Sequence, residues 1–341
     1  MSEETTETRS AEAEDPGSER VISVSPGPHL LDQGHTTRRM MIDVLLGLAP
    51  VVLAALWLFR WGALMQLVVC GVGCMAAEAI FTRMRGQALR LHDCSALVTG
   101  VILGLSLPST ASWYIGLIAS FVAIGLGKIV FGGVGANLFN PAMVGRAFVM
   151  IAFPASLGAS AYVLADGGVH GITMATPLTV MKQGGEAPTL LALFLGNVNG
   201  SPGETSALAC MIGGAYLLIR RTASWEIPLG LILAVLAIGG IADLSGEPTS
   251  WSALHHCFSG ALLFGAFFIA TDPVSSPLTP RGKFIFGLGT GALVMLLRGL
   301  SGYPEGVMFA VLLMNSVVPL INRWTIPTPV GGPVQAEGSK V

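Results

Sequence analysis

The sequence predicts an all-α integral membrane protein with about ten transmembrane helices arranged as two inverted five-helix repeats. The first observation is composition: 52% of the 341 residues are hydrophobic and only 11% are charged, against roughly 25% charged in soluble domains. The second is a series of ten apolar runs, and the third is a weak repeat of residues between the two halves. We therefore expect membrane lipid around the chain and no nucleic-acid partner.

The two ends of the chain differ from its body. Residues 1–39 hold eight of the 20 acidic residues, and the first 35 or so contain no apolar stretch typical of a signal peptide. We expect residues 1–39 to be a disordered cytoplasmic tail. The proline- and glycine-rich end predicts a flexible C-terminal tail over 325–341.

Ten apolar runs fill the region between the tails. Several are shorter than the ~20 residues that a helix needs to cross the hydrocarbon core, so we expect them to borrow flanking residues or to be broken helices inside the bundle. The runs fall at about 41–59, 63–81, 95–107, 113–131, 142–157, 205–219, 227–242, 257–270, 284–297 and 306–321.

The basic residues between the runs predict the orientation of the chain. With the N-terminus inside and one crossing per run, eleven lysines and arginines fall in inner loops and three in outer loops, a bias typical of membrane proteins. Both termini are then cytoplasmic, and residues 158–202 form an outer loop. The inner set is Arg38, Arg39, Arg83, Arg85, Arg90, Lys128, Arg220, Arg221, Arg281, Lys283 and Arg323, and the outer set is Arg60, Lys182 and Arg298.

A weak internal repeat relates the two halves. Cys94 and Cys257 are 163 positions apart, as are Pro141 and Pro304. Five runs per half require the second copy to enter the membrane in the opposite sense, which predicts repeats over 40–157 and 203–324. The third and eighth runs are the shortest and lead into Pro108 and Pro273. Short runs at matched positions indicate a central site, although such prolines also simply end helices.

Charged residues within the apolar runs are few. A charge at the bilayer centre costs at least ~2.5 kcal/mol, so Glu78 is a candidate for an ion path or for a buried pair with Arg146. His255 and His256 are adjacent and point apart on a helix, so we predict no metal site there. The five cysteines fall in or beside apolar runs without a Cys-x-x-Cys spacing, and we assign no iron–sulfur cluster to this chain.

Two glycine- and proline-rich junctions, residues 132–141 and 271–281, lie beside the membrane on the predicted inner side. Such segments offer free backbone N–H groups and hydroxyls that suit a phosphate, a flavin edge or a partner subunit. They are also typical of ordinary tight turns.

The outer loop contains the segment Gly171–Thr179, Gly-Ile-Thr-Met-Ala-Thr-Pro-Leu-Thr. Pro177 favours an extended backbone at Thr176. We expect the Thr176 hydroxyl to lie outside the local hydrogen-bond pattern, accessible to a modifying enzyme. Thr176 is the one candidate cofactor-binding residue, and no catalytic or metal-ligating residue is predicted.

Four segments together resemble one family. They are Phe139-Asn140-Pro141-Ala142, Thr271-Asp272-Pro273-Val274-Ser275 with Ser276-Pro277, Tyr303-Pro304-Glu305-Gly306-Val307, and Ala175-Thr176-Pro177-Leu178. From about His35 to Asn322 the chain resembles the RnfD/NqrB family, and is most similar to RnfD. The acidic front tail is not part of the resemblance.

The resemblance implies a covalent flavin. In this family FMN is attached through its phosphate to a threonine, and the matching position is Thr176. The phosphoester tethers the cofactor while the ring stays free to pass one or two electrons. The family pattern has an acid six residues before the threonine, whereas this chain has His170 there and its nearest acid at Asp166. A second, non-covalent flavin on the inner side is left open.

The resemblance also implies the function and the partners. The chain would be an FMN-carrying subunit of a bacterial inner-membrane complex that couples electron transfer between ferredoxin and NAD(H) to Na⁺ or H⁺ translocation, with its flavin loop in the periplasm. Partners would be membrane iron–sulfur subunits, a second FMN subunit, cytoplasmic flavin and iron–sulfur subunits, and a flavin transferase. The chain alone would hold no complete active site. The alternatives are an inverted-repeat channel or secondary carrier without covalent flavin, and a purely structural subunit.

Overall fold

The computed structural model describes residues 36–87, 91–157, 176–244, 251–301 and 305–327. Within these ranges the regular elements are all helical, with a 3-10 turn at Leu91–Asp93 and π-helical turns at Gly125–Ile129 and Gly265–Ile269. The α-helices are α1 Thr37–Met84, α2 Ser95–Ser106, α3 Trp113–Ile124, α4 Pro141–Ala152, α5 Pro154–Leu157, α6 Pro177–Lys182, α7 Leu190–Leu195, α8 Ala207–Ile219, α9 Glu226–Leu244, α10 Ala253–Phe258, α11 Leu262–Phe264, α12 Pro280–Leu300 and α13 Val307–Thr325.

Helix α1 contains the first two predicted apolar runs. Arg60 separates them with a non-helical backbone, φ 48° and ψ −119°. A positive φ is unfavourable for a residue with a Cβ, so Arg60 marks a sharp break between two helical halves. The prediction of two runs is confirmed, and the connection between them is a single residue.

Helix lengths and the outer surface identify a multi-pass membrane protein. Four helices, α1, α9, α12 and α13, are long and apolar enough to span a bilayer. Their outward faces expose large apolar side chains such as Trp57 and Trp61 on α1 and Leu244 on α9, each more than 70% accessible. Soluble proteins rarely expose such surface. All ten predicted runs lie on helical residues, while ten crossings and the inverted repeat stay predictions.

The third and eighth runs are short, as expected. Helix α2 has 12 residues. The eighth run is divided into α10, α11 and a π-helical turn, because Gly260 adopts φ +66° between α10 and α11. The backbone of Gly203, just before α8, donates a hydrogen bond to the carbonyl of Leu105 near the end of α2 (2.8 Å). The short third helix and the broken eighth helix therefore border the same segment of chain.

Two residues in the charge count lie in helices instead of loops. Lys128 is buried in the first π-helical turn and Arg298 is buried in the last turn of α12, at 3% and 2% exposure. Each cation has polar partners inside the bundle, which offset the cost of burial. The assignment of Lys128 to an inner loop and of Arg298 to an outer loop was wrong, although both stay near the ends of their helices.

One ion pair agrees with the predicted grouping of helix ends. Arg220, after α8, lies 3.3 Å from Asp43 on the first turns of α1. Tyr216 and Thr222 also donate hydrogen bonds to Asp43, at 3.3 and 3.2 Å. The start of α1 and the end of α8 are thus at one end of the bundle, where the charge count places both.

Several predictions fall outside the described residues. They concern most of the two tails, residues 158–175 of the outer loop with His170 and Asp166, and Tyr303 and Pro304. The domain boundaries drawn from the sequence also stay predictions.

Candidate functional site

Thr176 is the N-cap residue of α6. Its backbone is extended, φ −68° and ψ 157°, and Pro177 occupies the first helical position, as the sequence predicts. The Thr176 Oγ1 accepts a hydrogen bond from the backbone N–H of Thr179 (3.2 Å) and lies 2.9 Å from the Thr179 hydroxyl. Thr176 is 8% exposed.

The extended backbone was predicted correctly, but the environment of the hydroxyl was not. A proline that starts a helix makes the preceding threonine the cap, and a capping hydroxyl accepts from the third helical N–H. The expectation that the Thr176 hydroxyl stands outside the local hydrogen-bond pattern was therefore wrong. Packing around α6 also buries this residue, so a modifying enzyme meets it only before that packing forms or when α6 moves away.

The segment around Thr176 packs on the broken eighth helix. Lys182 at the end of α6 donates a hydrogen bond to the carbonyl of Ser301, after α12. Trp251 donates to the carbonyl of Gly185 (3.2 Å). The rings of Phe194 on α7 and Phe258 on α10 meet edge to face. These contacts join residues 176–195 to the predicted outer ends of α10 and α12.

A small cavity lies beneath Thr176, which we call the outer cavity. Its volume is about 30 Å³, room for one or two water molecules. It combines apolar side chains with one hydroxyl, one amide and two carboxylates. The lining residues are Thr176, Pro177, Leu178, Leu193, Val198, Asn199, Glu204, Phe258, Gly260 and Glu305.

Glu305 is held by backbone N–H groups. One carboxylate oxygen accepts from Ala261 (2.9 Å) and the other from Val307 (3.1 Å). Arg298 lies 3.7 Å from the first oxygen. Gly260 leaves the space for this carboxylate, since a Cβ at that position would overlap the Glu305 oxygen. Glu305 is therefore suited to remain ionised.

Arg298 connects Glu305 to the break in the eighth helix. Its guanidinium donates to the carbonyls of His256 (2.6 Å) and Ser259 (2.8 Å) at the C-terminal end of α10. Cations near a helix C-terminus stabilise its unpaired carbonyls. One buried arginine thus holds α10, the Gly260 turn and Glu305 together.

Glu204 faces the same cavity from the segment before α8. One of its carboxylate oxygens accepts from the backbone N–H of Ser201 (2.6 Å). The other is buried and accepts no hydrogen bond from any residue that the structure describes. Glu204 itself is 8% exposed.

A larger cavity of about 90 Å³, the inner cavity, lies at the other end of the bundle. It lies between the two glycine- and proline-rich junctions, and its polar lining includes Asn137 and Thr271. Asn315 on α13 connects the junctions, because its side chain accepts from the Asn140 N–H (3.2 Å) and donates to the Ser275 carbonyl (2.9 Å). The prediction that both junctions lie on one side is confirmed.

Glu78 is paired with Lys128 at the edge of the inner cavity. The ammonium lies 2.7 and 2.9 Å from the two carboxylate oxygens, and it also donates to the Ser95 hydroxyl (2.7 Å). The expected pair with Arg146 was therefore wrong. The π-helical turn brings Lys128 inward, and sequence reasoning had placed that residue in a loop.

The residues around Thr176 fit an attachment point for FMN. They provide a hydroxyl oxygen on a cavity wall, with a backbone N–H that continues to hold this oxygen. Ligand pockets for whole cofactors measure about 300 Å³ or more, so the outer cavity has room for the anchor and not for the flavin ring. The cavity is also acidic, which disfavours the negative charge of a phosphodiester unless a positive charge compensates it.

Sequence reasoning missed the acidic partners of Thr176. Glu204 and Glu305 stood out only as charges near the ends of runs. Their convergence depends on contacts between distant segments, which no local spacing encodes. The usable signal was the glycine of the eighth run, Gly260, followed in space by Glu305.

Comparison with known proteins gives one family and several relatives within it. Residues 23–331 match the NQR2, RnfD, RnfE family. The chain is 41% identical over 325 residues to the D-type subunit of the ion-translocating oxidoreductase complex of Stutzerimonas stutzeri, covering 86% of this chain and 92% of the relative. It is 39% identical to the corresponding subunit of a Na⁺-translocating ferredoxin:NAD⁺ oxidoreductase complex of Acetobacterium woodii (89% and 93% covered), and 36% identical to that of a proton-translocating one from Clostridium ljungdahlii (91% and 96% covered).

Proposed function

Because the chain belongs to the NQR2, RnfD, RnfE family, we propose that it is the D-type membrane subunit of an ion-translocating oxidoreductase complex and carries FMN on Thr176. Its subunit partners are those of such a complex: membrane iron–sulfur subunits, a second FMN subunit, and cytoplasmic flavin and iron–sulfur subunits. A flavin transferase attaches the cofactor.

The observation that supports this proposal is the position of Thr176. Its hydroxyl lies on a cavity at the predicted outer end, at the start of a short helix docked on the broken eighth span. FMN supplies one- and two-electron transfer when it is bound. The chain's own residues fix the anchor, since the Thr179 N–H holds the oxygen and Pro177 holds the backbone.

The complex couples electron transfer between ferredoxin and NAD(H) to movement of Na⁺ or H⁺. The relatives support both ions, since one is named Na⁺-translocating and another proton-translocating. Both termini are cytoplasmic and the flavin segment is periplasmic in the bacterial inner membrane. If a second, non-covalent flavin binds, the inner cavity is the place to look for it.

The test is flavin fluorescence of the denatured chain. Co-expression with a flavin transferase should give a fluorescent band on a denaturing gel, and Thr176→Ala should abolish it. Thr179→Ala is the matched control, because it removes the neighbouring hydroxyl on the same cavity and leaves the anchor. A dark wild-type band, or a band that Thr179→Ala abolishes and Thr176→Ala retains, contradicts the assignment.

The alternative is a channel or secondary carrier built on the same helices. The short α2 and the broken eighth helix border one segment, as such a site would require. A carrier transports its solute into liposomes equally well as wild type and as Thr176→Ala. An electron-transfer subunit shows no such solute flux, and its flavin disappears in the variant.

A further inference from the structure

The outer cavity contains two glutamates from distant parts of the chain. Glu204 precedes α8, and Glu305 precedes α13. Both line a space of about 30 Å³ together with the side chains of Thr176 and Asn199. Oxygen atoms therefore dominate the polar lining, in a cavity otherwise made of apolar groups.

The two carboxylates differ in their hydrogen bonds. Glu305 accepts from two backbone N–H groups and lies beside Arg298, so its negative charge is well matched. Glu204 accepts from the Ser201 N–H through one oxygen, and its second oxygen is buried with no donor among the described residues. An unpaired buried charged group costs more than the ≈1–3 kcal/mol of a neutral one. Such an oxygen requires a proton or a cation.

Three ionisable groups act on Glu204. Glu305 is the like charge across the cavity, Arg146 on α4 is the opposite charge, and the buried Cys210 lies one turn into α8. Burial first, and then the charge of Glu305, raise the pKa of Glu204, while Arg146 lowers it in part. Glu204 therefore retains a proton at a pH where an exposed glutamate has lost it.

We propose that the outer cavity is a binding site for one sodium ion, which exchanges with a proton on Glu204. Carboxylate, amide and hydroxyl oxygens are the ligands that hard cations prefer. The small volume favours Na⁺ over the larger K⁺. A monovalent cation here also balances the charge of a phosphodiester at Thr176, and this part alone depends on the proposed function.

The experiment uses dicyclohexylcarbodiimide, which adds to a protonated buried carboxyl group and leaves a stable N-acylurea. The full-length chain in detergent is treated in Na⁺-free buffer, with added NaCl, and with KCl at equal ionic strength. Mass spectrometry then measures the labelled fraction of Glu204. Labelling should occur without Na⁺ and fall about tenfold when Na⁺ exceeds its dissociation constant about tenfold, since only the empty site reacts. KCl should leave the labelling unchanged.

Glu226 is the internal control. It is a half-buried glutamate that also has one carboxylate oxygen without a partner among the described residues, but it lies at the start of α9 and lines neither cavity. Its labelling should not respond to Na⁺. Glu305→Gln should retain labelling at Glu204 and lose the protection by Na⁺.

The outcomes are decisive in the wild-type chain, whether or not a variant folds. Protection of Glu204 by NaCl and not by KCl supports the sodium site. Labelling that is indifferent to Na⁺, equal protection by K⁺, or a Glu204 that never reacts overturns it. The same measurement on Thr176→Ala separates the two proposals, because the sodium site should persist in a chain without flavin.

Discussion

At the residue scale, Thr176 shows what a single sequence reveals about a site. The proline after it predicts the extended backbone correctly, because this restriction is local. The burial of Thr176 and its position beside Glu204 and Glu305 come from segments that are distant in the sequence. The anchor residue could thus be predicted, and its acidic environment could not.

His170 is the second residue-scale prediction, and it lies outside the described residues. The family pattern has an acid six residues before the threonine. We expect His170→Asp to increase the fraction of chain that carries flavin when the flavin transferase is limiting. The measurement is in-gel flavin fluorescence per amount of protein over a time course. An unchanged rate of loading would mean that the transferase does not read this position.

The Glu78–Lys128 pair is a third residue-scale case. Removing one member of a buried ion pair leaves an uncompensated charge and costs about 3–5 kcal/mol. Lys128→Met should therefore lower the thermal unfolding midpoint in detergent strongly. Adding Glu78→Leu to that variant should restore most of the loss. Additive losses in the double variant would show that the two side chains do not act as a pair.

At the element scale, the broken eighth helix organises the outer end. Short length and matched position marked this run in the sequence, but its interruption depends on Gly260, whose positive φ and absent side chain admit the Glu305 carboxylate. Arg298 then caps α10 from a different helix. The existence of the helix could be predicted from hydropathy. The break could not, because the groups that stabilise it come from α12 and from the residues before α13.

Gly260→Ala tests this element. The added methyl group would overlap Glu305 and force a positive φ on alanine, and each effect costs about 1–3 kcal/mol. Gly240→Ala in α9 is the matched control, since a Cβ there meets open space and alanine favours helix by up to ~1 kcal/mol. Thermal unfolding should show a loss for the first and none for the second. Equal stability of the two variants would contradict the assigned role of Gly260.

At the scale of the whole molecule, hydropathy and charge describe the bundle well. The ten apolar runs all lie on helices, and both junctions lie at one end with the inner cavity between them. The charge count was wrong for Lys128 and Arg298, because a count cannot distinguish a loop cation from one buried at a helix end with partners. The remaining bias still predicts one orientation.

Cysteine accessibility tests that orientation. Gln87 lies after α1 on the predicted inner side, and Glu186 lies after α6 on the predicted outer side, and both are exposed. A membrane-impermeant maleimide applied to intact cells with a permeabilised outer membrane should label Glu186→Cys and not Gln87→Cys. Lysed cells should label both. The reverse pattern in intact cells would place the Thr176 cavity on the cytoplasmic side.

The most direct test of the central claim is mass spectrometry of the tryptic peptide that follows Arg146 and ends at Lys182, from chain co-expressed with a flavin transferase. This peptide contains Thr176. We predict that it carries the mass of FMN less one water, with fragment ions that place the added group on Thr176. An unmodified peptide, or a flavin located on another residue, would contradict the account.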